Sequence, residues 1–224
     1  MAKLSDADLL ELRRWNTPTI YNGWELSTKK DRMECVMSHE AIQDYAPQMG
    51  AMVGYAVTVE YRCADADYKA EHADAYMKLY EYLASIPGPK IIVAKDLDNP
   101  NPVGSIFGEV TGNAYRALGC VGCIDDGFVR DVDEGAYGGF KMMARRLGVS
   151  HTYSCPVSFG KEIEAFGAKV KPGMLIHADK YGFIAIPEED FPHLLEGVRF
   201  GDSNECQNTI PAARDVIGLS ANEI

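Results

Sequence analysis

One short run of small apolar residues, Cys120-Val121-Gly122-Cys123-Ile124, constrains this chain more than any other stretch. It lacks a helical period and reads as a buried strand. Charged and polar residues stand on both of its approaches. Upstream lie Gly108-Glu109 and a polar loop, Val110-Thr111-Gly112-Asn113, followed by a helical segment over Ala114 to Leu118. Downstream, Asp126-Gly127 signals a turn, and beyond it come Arg130 and Asp131 side by side, with Asp133 and Glu134 close behind. An arginine and an aspartate just past a buried strand point to a site at the edge of a sheet. The strand would bring Glu109 with its loop, and Arg130 with Asp131, to one rim.

The rest of the chain supplies layers around that strand. Ser5 to Trp15 reads as a first helix, capped by Ser5 with Asp8 and ended by Thr17-Pro18. Gly54 to Tyr61 alternates as a strand does. Tyr76, Leu79, Tyr80 and Leu83 fall at helical spacing within Asp74 to Ser85, which Pro87-Gly88-Pro89 stops. Lys90 to Ala94 is a buried strand. Phe140 to Leu147 reads as a helix with Gly148 as its stop. Extended pieces follow at Cys155 to Val157, Ile163 to Val170, Met174 to Ala178 and Phe183 to Ile186. The tail, residues 188–224, is helical but broken at Pro192, Gly197, Gly201 and Pro211. Mixed strands and helices predict α/β or α+β layers, not a doubly wound nucleotide fold. A chain of 224 residues suits one domain, 1–224, with an N-terminal helix over about residues 5–15.

Charge and cysteine usage narrow the function classes. Lys plus Arg is 22 against 33 Asp plus Glu, a net charge of −11, so the basic footprint of a sequence-independent nucleic-acid binder is missing. A local basic pocket for an anionic substrate, or a basic protein partner, is still compatible. No apolar run approaches the ~20 residues of a membrane helix. The six cysteines are irregularly spaced behind a charged, helix-like start, MAKLSDADLLELRRW, which predicts reduced thiols in a cytoplasmic protein.

Cys120 and Cys123 match C-x-x-C, but residues three apart on a strand point to opposite faces. No second pair or nearby histidine completes a zinc set, and the core reading is favoured. His39, His72, His151, His177 and His193 form no ligand spacing and read as structural or exposed, with His177 near Asp179 at a strand end. Thr111-Gly112-Asn113 before a helix could offer backbone N–H groups to an anion or simply cap the helix. Arg130-Asp131 could be an exposed ion pair. Alternatively, Asp131 offers a hard oxygen to a divalent cation while Arg130 faces a carboxylate or enolate.

The chain resembles the RraA-like superfamily, which holds 4-hydroxy-4-methyl-2-oxoglutarate/4-carboxy-4-hydroxy-2-oxoadipate aldolases and the protein regulator of ribonuclease E. The matching pieces are Gly54-Tyr-Ala-Val-Thr-Val59, Phe107-Gly108-Glu109, Gly119 through Asp131, Val170-Lys-Pro-Gly173 and Asp179 through Pro187. The resemblance implies a layered α/β/β sandwich assembled as a homotrimer or homohexamer, with sites between subunits. It implies that Asp131 binds Mg²⁺ or Mn²⁺, that Glu109 assists through a water, and that Arg130 contacts the keto oxygen. The amides of Val110, Thr111, Gly112 and Asn113 would receive the substrate carboxylate. Glu205 of a neighbouring subunit, or else Glu196, would complete the metal's outer shell. Two stretches depart from the family. Thr19-Ile20-Tyr21-Asn22-Gly23 lacks the aspartate of a Ser-Asp-Ala segment, and residues 135–160 replace a short proline-containing connection. Both bear on substrate identity.

The function so implied is a metal-dependent lyase. A 2-keto acid loses a C–C bond through a pyruvate enolate, by retro-aldol cleavage or by loss of CO₂ from oxaloacetate-like acids. Oxygen ligands favour Mg²⁺ or Mn²⁺ over zinc. Two alternatives are a non-catalytic regulator that binds a ribonuclease, and the same chemistry on a sugar-acid or aromatic-derived substrate.

Overall fold

The computed structural model describes residues 4–214, 217, 218 and 220–222. Ser5 caps the first helix, α1 (Asp6–Leu12), in a reciprocal box with Asp8. Thr17-Pro18 does not end this helix but begins a second, α2 (Thr17–Ser27), because proline is tolerated in a first turn and Asn16 caps it. Two short strands follow, β1 (Val36–Met37) and β2 (Gln43–Asp44), then β3 (Met52–Arg62). Helices α3 (Ala66–Glu71) and α4 (Ala75–Ser85) lead to β4 (Lys90–Asp96), α5 (Glu109–Ala117), β5 (Cys120–Val129), α6 (Val132–Tyr137) and β6 (Lys141–Leu147). Strand β7 (Cys155–Phe159), the hairpin β8 (Ile163–Ala165) and β9 (Ala168–Val170), and strands β10 (Leu175–Asp179) and β11 (Gly182–Ile186) come next. The chain closes with α7 (Phe191–Asn204) and α8 (Ile210–Arg214).

A sheet of nine strands runs in the order β1-β11-β10-β3-β4-β5-β6-β2, with β7 also paired to β3. Its centre, β3-β4-β5-β6, is parallel, and the flanking strands are antiparallel. This is the mixed α/β architecture expected. Alternation along the central strands sorts the core into two faces. Ile92 and Ala94 pack with Leu79 and Leu83 of α4 and Tyr115 of α5. Ile91 and Val93 pack with Ile163, Phe166 and Val170 of the β8–β9 hairpin. A third cluster joins Leu9, Ile20 and Trp24 to Leu194 and Val198 of α7 and to Leu175 and Ile186. No helix among the described residues is long and apolar enough to cross a membrane.

Four local expectations are corrected. Asp126-Gly127 makes no turn: β5 continues to Val129 through a register shift between Asp125 and Phe128. Gly127 fits there because a Cβ would stand 2.5 Å from the Tyr61 hydroxyl and 2.7 Å from Asp96 Oδ2. Phe140 to Leu147 is not a helix but strand β6, because pairing with parallel β5 overrides the helix-forming side chains. Ile163 to Val170 is a hairpin whose turn residues, Phe166 and Gly167, have φ of 52° and 74°. The tail is continuous where breaks were expected. Pro192 sits in the first turn of α7, and Gly197 lets this helix approach α2 against the Gly23 carbonyl. The helix runs on through a π turn, Glu205–Thr209, into α8. Positions 215, 216, 219, 223 and 224 of the expected tail lie outside the described residues.

Two buried lysines fix elements to one another. Lys90 Nζ donates to the carbonyls of Leu83 at 2.6 Å and Ile86 at 2.5 Å, placing a cation on the C-terminal end of α4. Lys141 Nζ pairs with Asp44 at 2.7 Å and donates to the carbonyls of Ala46 and Gly50.

At the end of β4 and within β5 two carboxyl groups are buried together. Both Asp125 oxygens lie 2.9 Å from the Tyr61 hydroxyl, and burial holds this acid well above the usual carboxylate range. Asp96 Oδ1 accepts the Asp98 N–H at 2.9 Å. Its Oδ2 has no hydrogen-bond partner among the described residues, and burial pushes the acid up to about 6. The folded chain therefore keeps a proton that the unfolded chain releases near pH ~4. The stability this contributes is full below about pH 4 and is lost as the pH rises through about 6. Asp96→Asn retains the Oδ1 acceptor and removes the ionisation. Urea unfolding should show a flatter pH dependence between about 4 and 7, and a gain of roughly 1–3 kcal/mol over the parent at about pH 8.

Candidate functional site

Helix α5 starts at Glu109, earlier than Ala114, because Gly108 leaves the helix in an extended conformation and its N–H donates to Thr111 Oγ1 at 3.1 Å. The four residues expected as a loop are thus the first turns of a helix. The Gly112 N–H already bonds the Gly108 carbonyl at 2.8 Å, and Gly112 packs toward Phe140. The Asn113 side chain donates to the Glu109 carbonyl at 2.9 Å. Gly112 and Asn113 therefore offer nothing to a ligand, whereas the amides of Val110 and Thr111 are first-turn donors without an intrahelical acceptor.

The end of β5 meets this helix start. Asp131 leaves the strand in the left-handed region, φ 54° and ψ 42°, and opens α6. Few side chains tolerate that conformation, and aspartate is among them. Its Oδ2 accepts the Glu109 N–H at 3.1 Å and Arg130 Nε at 3.0 Å. Partial burial alone would raise the acid, but the Glu109 amide and the Arg130 guanidinium outweigh it and hold Asp131 below its ordinary value. Asp131 is thus a carboxylate at neutral pH, and its Oδ1 accepts no hydrogen bond among the described residues. Arg130 spends Nε on Asp131 and donates from Nη1 to the Val149 carbonyl at 3.3 Å. Nη2 has no protein acceptor among the described residues.

Glu109, Val110, Thr111, Arg130 and Asp131 line one cavity of about 420 Å³. The same cavity is lined by Lys69, Tyr76, His151, Thr152 and Ser154. The helical period over Asp74 to Ser85 marks Tyr76 only as part of an apolar face, and no motif marks Lys69, Thr152 or Ser154 in the sequence. The nearest signal for this second group is the departure of residues 135–160 from the family pattern. Glu205 does not line the cavity: it is exposed and accepts from Asn22 Nδ2 at 3.4 Å. Glu196 is exposed on α7 and also lies outside it.

The remaining polar motifs are structural. Cys120 and Cys123 lie in the same core cluster, not on opposite faces, because the register shifts between Lys90 and Ile91, opposite Cys120 and Gly122. Burial pushes the Cys120 thiol up to about 12 and Cys123 well above its usual value, which leaves both inert at neutral pH. His177 is buried between Thr17 Oγ1 at 2.9 Å and the Leu12 carbonyl at 3.2 Å, and burial lowers it to about 4. It clasps α1 and α2 to β10 as a neutral ring. His151 is the histidine at the cavity.

Among the described residues no three His, Cys, Asp or Glu side chains converge as a metal cage. Mg²⁺ and Mn²⁺ do not need one: they retain waters and take one or two carboxylates plus substrate oxygens. The unshared Oδ1 of an ionised Asp131, beside Glu109, fits that donor chemistry.

A Cβ on Gly108 would lie 2.7 Å from Asp131 Oδ2 and 3.2 Å from Arg130 Nε. Gly108→Ala should push the carboxylate off its two donors. NMR titration of the Asp131 carboxyl is then expected to show its pKa rising toward the ordinary aspartate value, with the sheet's amide spectrum preserved.

The Aldolase/RraA profile of the RraA-like family matches residues 1–185. No curated protein matches this chain. Among solved structures, an uncharacterized protein from Pseudomonas syringae pv. tomato is 16% identical, with 97% of each chain covered and a TM-score of 0.73. RraAS2 of Streptomyces coelicolor, an unusual member of the RNase ES inhibitor RraA protein family, is 16% identical over 96% of this chain and 100% of its own, with a TM-score of 0.70. The RNA-processing inhibitor RraA from Thermus thermophilis is 15% identical over 70% and 87%, with a TM-score of 0.53. At these identities the structures share the fold alone. The family spans aldolases and ribonuclease inhibitors, and the match over most of the sequence places this chain within it: it belongs to the RraA-like family.

Proposed function

We propose that the chain is a divalent-cation-dependent carbon–carbon lyase acting on a 2-keto acid. The observation that carries this reading is the ionised Asp131, fixed by the Glu109 amide and Arg130 with one oxygen uncommitted among the described residues, at the wall of a cavity that also holds the first-turn amides of α5. A protein-binding surface has no need of that arrangement. Asp131, with Glu109 beside it, would hold Mg²⁺ or Mn²⁺, which supplies Lewis-acid polarisation of the keto group.

The chain's own groups do the rest. The Val110 and Thr111 amides, at the positive end of α5, receive the substrate carboxylate. Arg130 Nη2 faces the keto oxygen. When the C3–C4 bond breaks, its electron pair moves onto the pyruvate fragment as an enolate, and the fixed guanidinium meets the developing charge. In the retro-aldol direction the 4-hydroxyl proton leaves to Glu109 and the second fragment departs as a carbonyl compound. Protonation of the enolate carbon completes pyruvate. In a homotrimer or homohexamer, Glu205 or Glu196 of a neighbouring chain would complete the outer shell. Six free cysteines suit a reducing, cytoplasmic setting.

A second reading is a ribonuclease regulator, favoured by the likeness to the RNase ES inhibitor family member from Streptomyces and the RNA-processing inhibitor from Thermus, and by a net charge of −11 suited to a basic partner. The same enolate chemistry on a sugar-acid or aromatic-derived substrate is a variant of the first.

Pyruvate release from 4-hydroxy-4-methyl-2-oxoglutarate and from oxaloacetate, assayed with Mg²⁺ and then with excess EDTA, tests the proposal. Chelation should abolish turnover. Asp131→Ala should lower kcat/KM by at least about 100-fold, and Arg130→Met by a similar factor seen mainly in kcat. Activity that survives EDTA or Asp131→Ala overturns it. Stoichiometric capture of a nuclease, with no keto-acid turnover, establishes the regulator instead.

A further inference from the structure

We infer that the cavity wall formed by α3, α4 and the segment before β7 is an anion subsite, in which Lys69 reads a negatively charged group at the substrate end remote from Arg130. The inference takes its substrate from the lyase reading, but its geometry is independent of that reading.

Lys69 is held in place. Its Nζ donates to the Ser154 carbonyl at 2.8 Å and lies 4.6 Å from the centroid of the Tyr76 ring. The Tyr76 hydroxyl and Ser154 Oγ are 2.9 Å apart, so the supports of the ammonium are themselves tied together. An ammonium has three N–H donors, and Ser154 takes one. Among the described residues no carboxylate reaches Lys69. Lys30, Lys78, Lys141 and Lys171 pair with an acid, and of the lysines without an ion pair among the described residues Lys69 is the one that lines this cavity. In a chain with 33 acidic and 22 basic residues, a positioned cation in a cavity with no protein counter-ion points to an anion supplied by the ligand.

The charges divide accordingly. Arg130 already answers Asp131 and would meet the keto end. The substrate's first carboxylate belongs to the Val110 and Thr111 amides. Lys69 remains unanswered, and a cavity of about 420 Å³ has far more room than a three-carbon keto acid fills. Tyr76, Thr152 and Ser154 add hydroxyls beside it. Lys69, Tyr76, Thr152 and Ser154 lie outside the five short motif stretches that include Glu109, Arg130 and Asp131.

The test is calorimetric binding of 2-oxoglutarate and 2-oxopentanoate to the Mg²⁺-loaded protein. The two acids share a chain length and differ in the terminal carboxylate. The parent should bind 2-oxoglutarate about tenfold or more tightly, the scale of one charge-assisted hydrogen bond. Lys69→Gln, which removes the charge and keeps a donor for Ser154, should abolish that preference and leave 2-oxopentanoate unchanged. Lys69→Arg should preserve it. A purely structural role would weaken both ligands alike. Equal binding by the parent, binding of neither acid, or a preference that survives Lys69→Gln overturns the inference. A Lys69-dependent preference without pyruvate release from any substrate keeps the subsite and rejects the lyase. Turnover without a preference does the reverse.

Discussion

The Asp131 carboxylate is the joint on which the site depends. Through Oδ2 it binds the first amide of α5 and the guanidinium next to it in sequence, so the end of one strand is fastened to the start of the helix that precedes that strand. Gly108 makes the approach possible by having no side chain. The left-handed turn at Asp131 then sends the chain into α6 and away from the cavity, which keeps the carboxylate at the rim instead of inside the sheet. Geometry and charge state share one cause here: the two donors that orient the acid also keep it ionised.

The same physics gives opposite results a few residues earlier. Asp125 lies on the same strand but its carboxyl bonds a phenol and the Gly127 amide instead of a cation, beside the acid Asp96, and its burial is complete. Desolvation wins there and pushes the acid well above the usual carboxylate range. Asp126 is intermediate: it is mostly buried, and Arg145 offsets only part of that cost. Three aspartates on or just past β5 thus occupy three electrostatic regimes, and only Asp131 presents an ionised oxygen to the cavity.

How much of this was legible in the sequence follows from range. Glu109, Arg130 and Asp131 could be read because their positions depend on one buried strand and its immediate neighbours. The start of α5 is hidden in the sequence because Gly108 reads as a loop residue, while the Thr111 hydroxyl that caps it is equally at home after a helix start or before one. Strand β6 was hidden because Met142, Met143, Ala144 and Arg145 are good helix formers, and only a parallel partner makes them extended. Lys69 and Ser154 were out of reach for a different reason. They meet across the fold, far apart in sequence, and no local pattern announces a contact of that kind.

The rims of the sheet have a consequence for how copies of the chain can meet. The outermost strands, β1 and β2, are two residues long each. Beyond β2 the exposed end of β6 carries Arg145 and Arg146, both committed to neighbours in the same chain. Short ladders flanked by bulky cations offer little backbone for a foreign strand to extend. A neighbouring copy would therefore meet this one through side chains and helix surfaces, and the nine-stranded sheet would remain the property of a single chain.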